Sequence, residues 1–267
     1  MSTQPRRGGP DGHGPWFNYV TRRPGPRRRL LCLAGAGSGP SEFVTWHEVL
    51  PPDTELWPIQ LPGREKRLRE EPYTDLPALM AGLSAALEAT EGATPLPLVL
   101  FGHSFGALVM YDLARRISAR QPHRVQGLLV SGLAAPGRPT RNQEISRLGD
   151  ADLLDWLRHL GGTPTELLDE TWFATWLLRD VRASYRIREA YAAAPAPPLT
   201  CPVIAFGGQE DFEADAADLD AWARLTTGRF RSHTLPGGHF FLREQRATFL
   251  RLLQQELDGL NHAEPRT

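Results

Sequence analysis

The chain has 267 residues, with 30 Lys plus Arg against 31 Asp plus Glu, a formal net charge of −1 and two cysteines, Cys32 and Cys201. The near-neutral balance argues against a nucleic-acid groove or a strongly basic membrane patch, and two cysteines cannot build a disulfide framework, which points to a reducing cytoplasm. No apolar stretch reaches the about eighteen residues of a membrane span, and the polar start holds no signal core, so neither a span nor export is expected.

Residues 1–27 are rich in Gly, Pro and Arg without periodicity and are expected to form a mobile tail, with WFNYV (16–20) as a candidate first short strand. The core begins at the strand-like RLLCLAG (29–35). ELWPIQL (55–61) reads as a strand, DLPALMAGLSAALEAT (75–90) as a helix, LPLVLF (96–101) as a strand, ALVMYDLARRI (107–117) as a helix and VQGLLVSG (125–132) as a strand. Strands separated by helices predict an α/β fold with a mostly parallel sheet, right-handed crossovers and helices on both faces. One domain is expected over 28–258, with a flexible tail at 259–267.

Between Gly137 and Pro198 the alternation breaks. The helical patterns DADLLDWLRHL (150–160) and DETWFATWLLRDVRASYRIREAY (169–191) are separated by Gly161-Gly162 and closed by AAAPAPP (192–198). One reading is an ordinary helix pair packed on the sheet. The other is a lid over 137–198, inserted after the sixth strand, with glycine hinges and an apolar underside that brings Trp156, Trp172 and Trp176 to a pocket facing the active site. Beyond it, PVIAFGG (202–208) and RFRSHTL (229–235) read as the last strands.

The chemistry centres on Gly102-His103-Ser104-Phe105-Gly106, entered by a strand and left by a helix. That context makes it a nucleophile elbow, with Ser104 exposed on a sharp turn whose flanking glycines avoid backbone collisions. A base and an orienting acid should follow it in the order serine, acid, histidine. GGQED places Asp211 in the loop after one strand and PGGH places His239 in the turn after the next, so both rise at the sheet edge that carries Ser104. His239 is expected to act as general base and Asp211 to fix its tautomer. Of the eight histidines only His239 has both the order and a post-strand turn, while Glu210, Asp215 and Asp218 are competing acids near Asp211. His103, beside the nucleophile, reads as structural. The oxyanion donors are expected to be the backbone N–H groups of Phe105, at the start of the helix, and Ala36, in the glycine-rich loop AGAGSG (34–39). That loop lacks a P-loop lysine and the full dinucleotide-binding spacing, and no metal or cofactor is expected.

Seven blocks in order, GAGSGPSEFVTW (35–46), LPGREKR (61–67), FGHSFGALVMYDLARR (101–116), SGLAAP (131–136), DVRASYRIREAY (180–191), GGQED (207–211) and PGGHFFL (236–242), resemble the type II thioesterases of polyketide synthase and nonribosomal peptide synthetase pathways. The resemblance implies a stand-alone α/β-hydrolase, with Ser104, Asp211 and His239 as its triad. It implies an enzyme that clears stalled or mis-primed acyl units from the phosphopantetheine arms of acyl- or peptidyl-carrier proteins, and it makes the apolar underside of the lid an acyl pocket. A monomer is expected. Gly35 departs from the family pattern, which commonly has a histidine in a Pro-His-Ala-Gly-Gly-like loop, so any contact of that histidine is missing. The triad alone does not choose among thioester, ester and amide. The other readings are a lid-bearing esterase or lipase on free small esters, a chain-terminating cyclising thioesterase, and a non-catalytic hydrolase-fold binding module.

Overall fold

The structure, a computed structural model, describes residues 14–90, 95–138, 144–192 and 195–260. Six strands form one sheet: β1 (Arg28–Leu33), β2 (Thr54–Pro58), β3 (Leu98–His103), β4 (Val125–Ser131), β5 (Val203–Gly208) and β6 (Phe230–Leu235). Their order is β2-β1-β3-β4-β5-β6, and every adjacent pair is parallel. The inner strands read as continuous apolar runs because helices cover both faces. Alternate residues then divide between two cores. Leu31, Leu33, Leu98, Leu100 and Val203 face one, and Leu30, Cys32, Val99, Phe101, Ile204 and Phe206 face the other.

The helices are α1 (Leu76–Ala89), α2 (Phe105–Arg120), α3 (Asp150–Leu160), α4 (Thr165–Leu168), α5 (Thr171–Glu189), α6 (Ala216–Asp220), α7 (Phe241–Glu244) and α8 (Arg246–Leu260). The α1 start is set by Asp75, whose side chain accepts the Ala78 N–H at 2.9 Å. A 3₁₀ segment, Pro40–Glu48, joins β1 to β2. Neither that segment nor α8 is anticipated above, although Phe249, Leu250, Leu253 and Leu257 recur at helical spacing and are buried against the sheet. No described helix is long and apolar enough to cross a membrane.

From β1 the chain moves outward to β2, then returns past β1 to β3. The strand order therefore reverses between β1 and β3, and their carboxyl ends border the crevice where open α/β sheets bind ligands. The loop after β1 and the turn after β3 are the two segments singled out in the sequence, AGAGSG and the elbow.

Three expectations need correction. WFNYV is not a strand: Trp16 and Phe17 are buried, the Gln60 N–H donates to the Trp16 carbonyl at 2.8 Å, and Thr21 bridges Leu56. From residue 14 onward the expected tail is thus packed against the β2 side, with Trp16 and Phe17 burying apolar surface in the core; residues 1–13 lie outside the described residues. The 137–198 segment follows the fourth described strand rather than a sixth. The helix at the carboxyl end continues past 258 to Leu260, which is buried, and 261–267 lie outside the described residues.

Candidate active site

Ser104 has φ 51° and ψ −119°, a strained conformation for a residue with a side chain. It is held there from both sides. The Ser104 N–H donates to the Ser131 carbonyl at 2.7 Å, and the Ser104 carbonyl accepts the Ala107 N–H at 2.9 Å. A Cβ on Gly102 would lie 2.3 Å from the Gly106 backbone, and one on Gly106 would lie 2.1 Å from the Leu33 carbonyl oxygen. Both glycines are therefore required by close backbone approach, as the motif predicts.

The β5 end and the turn after β6 are likewise pressed together, since a Cβ on Gly208 would lie 2.2 Å from the Gly238 carbonyl oxygen. This contact brings Asp211 and His239 side by side. His239 Nδ1 lies 2.9 Å from Asp211 Oδ2, and the other carboxylate oxygen accepts the Glu213 N–H at 2.9 Å. Ser104, Asp211 and His239 are all at most 5% exposed. The competing acids have other partners. Glu210 accepts the Gly237 N–H at 2.6 Å, Asp215 caps α6, and Asp218 pairs with Arg138 at 3.0 Å. Among the other described histidines, His47 Nδ1 contacts the Val44 carbonyl, His233 contacts Glu256, and His159 packs on Phe212.

Loop 34–38 passes over the elbow: a Cβ on Gly35 would lie 3.4 Å from both Ser104 Cβ and His103 Cδ2. A side chain at 35 would thus start against the nucleophile position. Phe105 begins α2, and Ala36 lines the cavity above Ser104. Two residues that the sequence reading does not single out shape this loop. Arg64, 5% exposed, donates to the Gly35 and Ser38 carbonyls at 2.7 Å each, to Asp180 at 3.0 Å and to Ser184 Oγ at 3.0 Å, with its guanidinium over the Phe105 ring. Asp180, on α5, also accepts the Gly37 N–H at 2.8 Å. Both residues lie in quoted sequence blocks, LPGREKR and DVRASYRIREAY, but nothing in their spacing joins them.

The helical segment covers the site. Trp156, Leu157 and Leu160 of α3 and Val181 and Tyr185 of α5 line, with Ser104 and His239, a partly open cavity of about 10 Å³, room for one water. Burial pushes the Tyr185 hydroxyl well above its ordinary range, so it stays neutral, and it accepts from Arg188 at 3.2 Å. Arg188 also pairs with buried Glu213 at 2.5 Å, which ties α5 to the loop of Asp211.

Of the three tryptophans expected in the pocket, only Trp156 lines it. Trp172 is 60% exposed and meets Phe173 edge-on, and Trp176 stacks with Arg179 at 4.3 Å. The register of α5 decides this: its inner face is Leu177, Val181 and Tyr185, which leaves Trp172 on a different face. The glycine pair divides its roles. Gly161 ends α3, whereas a Cβ on Gly162 would strike the Phe240 ring at 2.3 Å and the Gly162 carbonyl accepts from Arg243 at 2.8 Å. Phe240 follows His239 and forms one wall of the cavity.

A parallel sheet whose strand order reverses beside a serine on a glycine-flanked elbow is the architecture of an α/β-hydrolase. Over residues 28–257 the sequence matches the thioesterase domain family, and the chain belongs to that family. It is 33% identical over 242 residues to the gramicidin S biosynthesis protein GrsT of Aneurinibacillus migulanus, covering 91% of this chain and 93% of that protein. It is 34% identical to the thioesterase PikA5 of Streptomyces venezuelae, covering 87% and 82%. Among solved structures, the type II thioesterase BorB from the borrelidin biosynthetic cluster superposes with a TM-score of 0.78 at 32% identity, over 90% of this chain and 97% of that one. The resemblance seen in the sequence is borne out, and the chain is a thioester hydrolase.

Proposed function

We propose that this enzyme hydrolyses acyl thioesters carried on the phosphopantetheine arm of acyl- or peptidyl-carrier proteins, removing stalled or mis-primed units during polyketide or nonribosomal peptide assembly. The observation that carries the reading is the buried His239–Asp211 contact of 2.9 Å at the sheet edge that presents Ser104. In this mechanism Ser104 Oγ attacks the thioester carbonyl while His239 takes its proton. The tetrahedral oxyanion is met by the N–H groups of Phe105 and Ala36. The C–S bond then breaks, His239 returns the proton to the departing thiol, and an acyl-serine remains. Water attacks that ester with His239 again as base, which releases the carboxylic acid and restores Ser104. Asp211 fixes the imidazole tautomer throughout. No cofactor takes part, because the arm belongs to the partner.

Residues 137–198 serve in this reading as a lid on a single hydrolase domain, with Trp156 as a wall of the acyl pocket. The small cavity supports a lid that must shift to admit an acyl group. The enzyme acts in this reading as a monomer in the cytoplasm, a reducing compartment that the two buried, unpaired cysteines fit.

A carrier protein docks outside while its arm reaches Ser104, so remote binding energy can orient the carbonyl. The test compares one acyl group on a carrier protein, on coenzyme A and as a simple ester. The reading expects the highest kcat/KM on the carrier. Equal efficiency on all three would remove the carrier from the function, and faster ester turnover would favour an esterase. Failure of a fluorophosphonate to label Ser104 would favour a binding module.

A further inference from the structure

Loop 34–38, Ala-Gly-Ala-Gly-Ser, has almost no side chain with which to fix its own conformation, and Gly37 adopts φ 75°. Its backbone is held instead by two buried ionic groups from elsewhere in the chain. In a planar trans peptide the C=O and N–H point in opposite directions. The Gly35 carbonyl and the Ala36 N–H share one such plane. Arg64 Nη1 holds that carbonyl at 2.7 Å, which turns the Ala36 N–H away from Arg64. The next plane carries the Gly37 N–H, and Asp180 Oδ2 holds it at 2.8 Å. Both peptide planes of Ala36 are thus pinned, one at its oxygen and the other at its nitrogen. The two pins are joined to each other by the Arg64 Nε–Asp180 Oδ1 contact at 3.0 Å, with both residues at most 5% exposed.

We propose that Arg64 and Asp180 are positioning residues for the oxyanion, aiming the Ala36 N–H at the carbonyl held by Ser104 and making that aim depend on the seating of α5. This rests on the reading of Ser104 as nucleophile and Ala36 as donor. The dependence on α5 follows from the position of Asp180 and from packing, because a Cβ on Gly37 would lie 2.6 Å from Leu177 and 3.3 Å from Val181 of the same helix. Lifting that part of α5 would release the Gly37 N–H, leave Arg64 buried without its carboxylate and free the loop. The substrate-admitting movement therefore falls on α3, with Trp156, while α5 stays in place as part of the active site.

The test uses Asp180→Asn, which keeps shape but cannot hold both Arg64 and the Gly37 N–H with the same charge, and Arg64→Lys, which keeps charge but not the fork. Active sites are counted by fluorophosphonate titration, so misfolded protein does not enter the rates. Two pantetheine-linked probes are compared: a trifluoromethyl ketone, which Ser104 converts to a tetrahedral oxyanion, and the matching planar amide. The expected result is a kcat lower by about tenfold to several hundredfold, within the range for losing an oxyanion donor, with KM changed less than about twofold. Affinity for the ketone should fall in parallel with kcat/KM while the amide binds as before. Parental kcat, or equal losses for ketone and amide, would overturn the positioning role and leave Ser104 in place. If the parent enzyme itself formed no adduct with the ketone, the nucleophile reading would fail and this inference with it. Should Asp180→Asn not fold, Arg64→Lys supplies the same comparison.

Discussion

His103 and His239 lie with ring centroids 4.9 Å apart, both against Gly132, where a Cβ would come within 2.9 Å of the first ring and 3.2 Å of the second. His103 Nδ1 contacts Ser131 Oγ at 3.0 Å, and its Nε2 is buried without a partner. Adjacent side chains of a tight turn are expected to diverge, yet the fold brings His103 behind the base by way of β4.

Burial, and after it the nearby His239 and Arg243, hold the His103 pKa well below its ordinary 6.5. The folded state therefore keeps this ring neutral while the unfolded chain protonates it near 6.5. Where the unfolded state binds more protons, stability falls as pH falls. Above 6.5 the residue contributes no pH dependence; below it, stability is lost until His103 itself protonates in the fold. His103→Phe should flatten this part of the profile by at most about 1.4 kcal/mol per pH unit, the slope for one proton. Urea unfolding of both proteins from pH 8 to pH 5 measures it. Parallel profiles would show that His103 is not the group responsible.

The elbow glycines should tolerate no side chain. In Gly106→Ala the new Cβ meets the Leu33 carbonyl at 2.1 Å, and Leu33 is in register with Gly102 in the β1–β3 ladder, so neither backbone can yield without disturbing the pairing. A loss of about 2–5 kcal/mol is expected, as for severe overpacking, together with loss of labelling at Ser104. Gly149→Ala, where only Asp152 lies nearby at 3.6 Å, should lose no more than about 1 kcal/mol, from the poorer N-cap it gives α3. Thermal unfolding of the pair decides the point, and similar melting temperatures would contradict the packing argument.

Within the proposed triad, Ser104→Ala and His239→Ala should each lower thioester hydrolysis by about three or more orders of magnitude, and Asp211→Asn by less. The asparagine can still accept the Glu213 N–H that Asp211 accepts at 2.9 Å, so the loop keeps its shape while the tautomer control is lost. Single-turnover rates on folded variants give the ranking. A folded Ser104→Ala protein at the parent rate would dismiss the elbow as the site of chemistry.

The tryptophans should separate. Trp156→Ala removes a wall of the cavity over Ser104 and should extend acyl preference to longer chains, by about fourfold in kcat/KM per added carbon if each methylene buries about 0.8 kcal/mol. Trp172→Ala, at a position 60% exposed, should leave the chain-length profile unchanged. Profiles on acyl thioesters of two to twelve or so carbons (roughly the span over which that increment resolves) check both. The reverse pattern would place the acyl pocket on the other side of the helical segment.

Much of this architecture was legible in the chain because the signals are local. Apolar runs ending in turns located five of the six strands, the more polar RFRSHTL marked the sixth, and the helix over 150–160 coincides with Asp150–Leu160. The elbow, the acid loop and the base turn follow from strand order, since every parallel strand delivers its carboxyl end to the same edge. Long-range contacts were not legible. Distance from the strand end favours Asp211 over Glu210 in GGQED but leaves Glu210 a competitor; its binding of the Gly237 N–H and the Asp211–His239 contact are seen only in the fold. Trp156 and Trp172 both sit in helical patterns, and only the packing of α3 and α5 within the helical segment puts one over Ser104 and the other in solvent. The Arg64–Asp180 pair joins residues 116 positions apart, and no periodicity encodes such a meeting. Backbone propensity and hydrophobic patterning act over a few residues, so they determined the elements and the sheet edge. Partner choice among buried polar groups depends on which segments the closed fold brings together, and that was decided only in three dimensions.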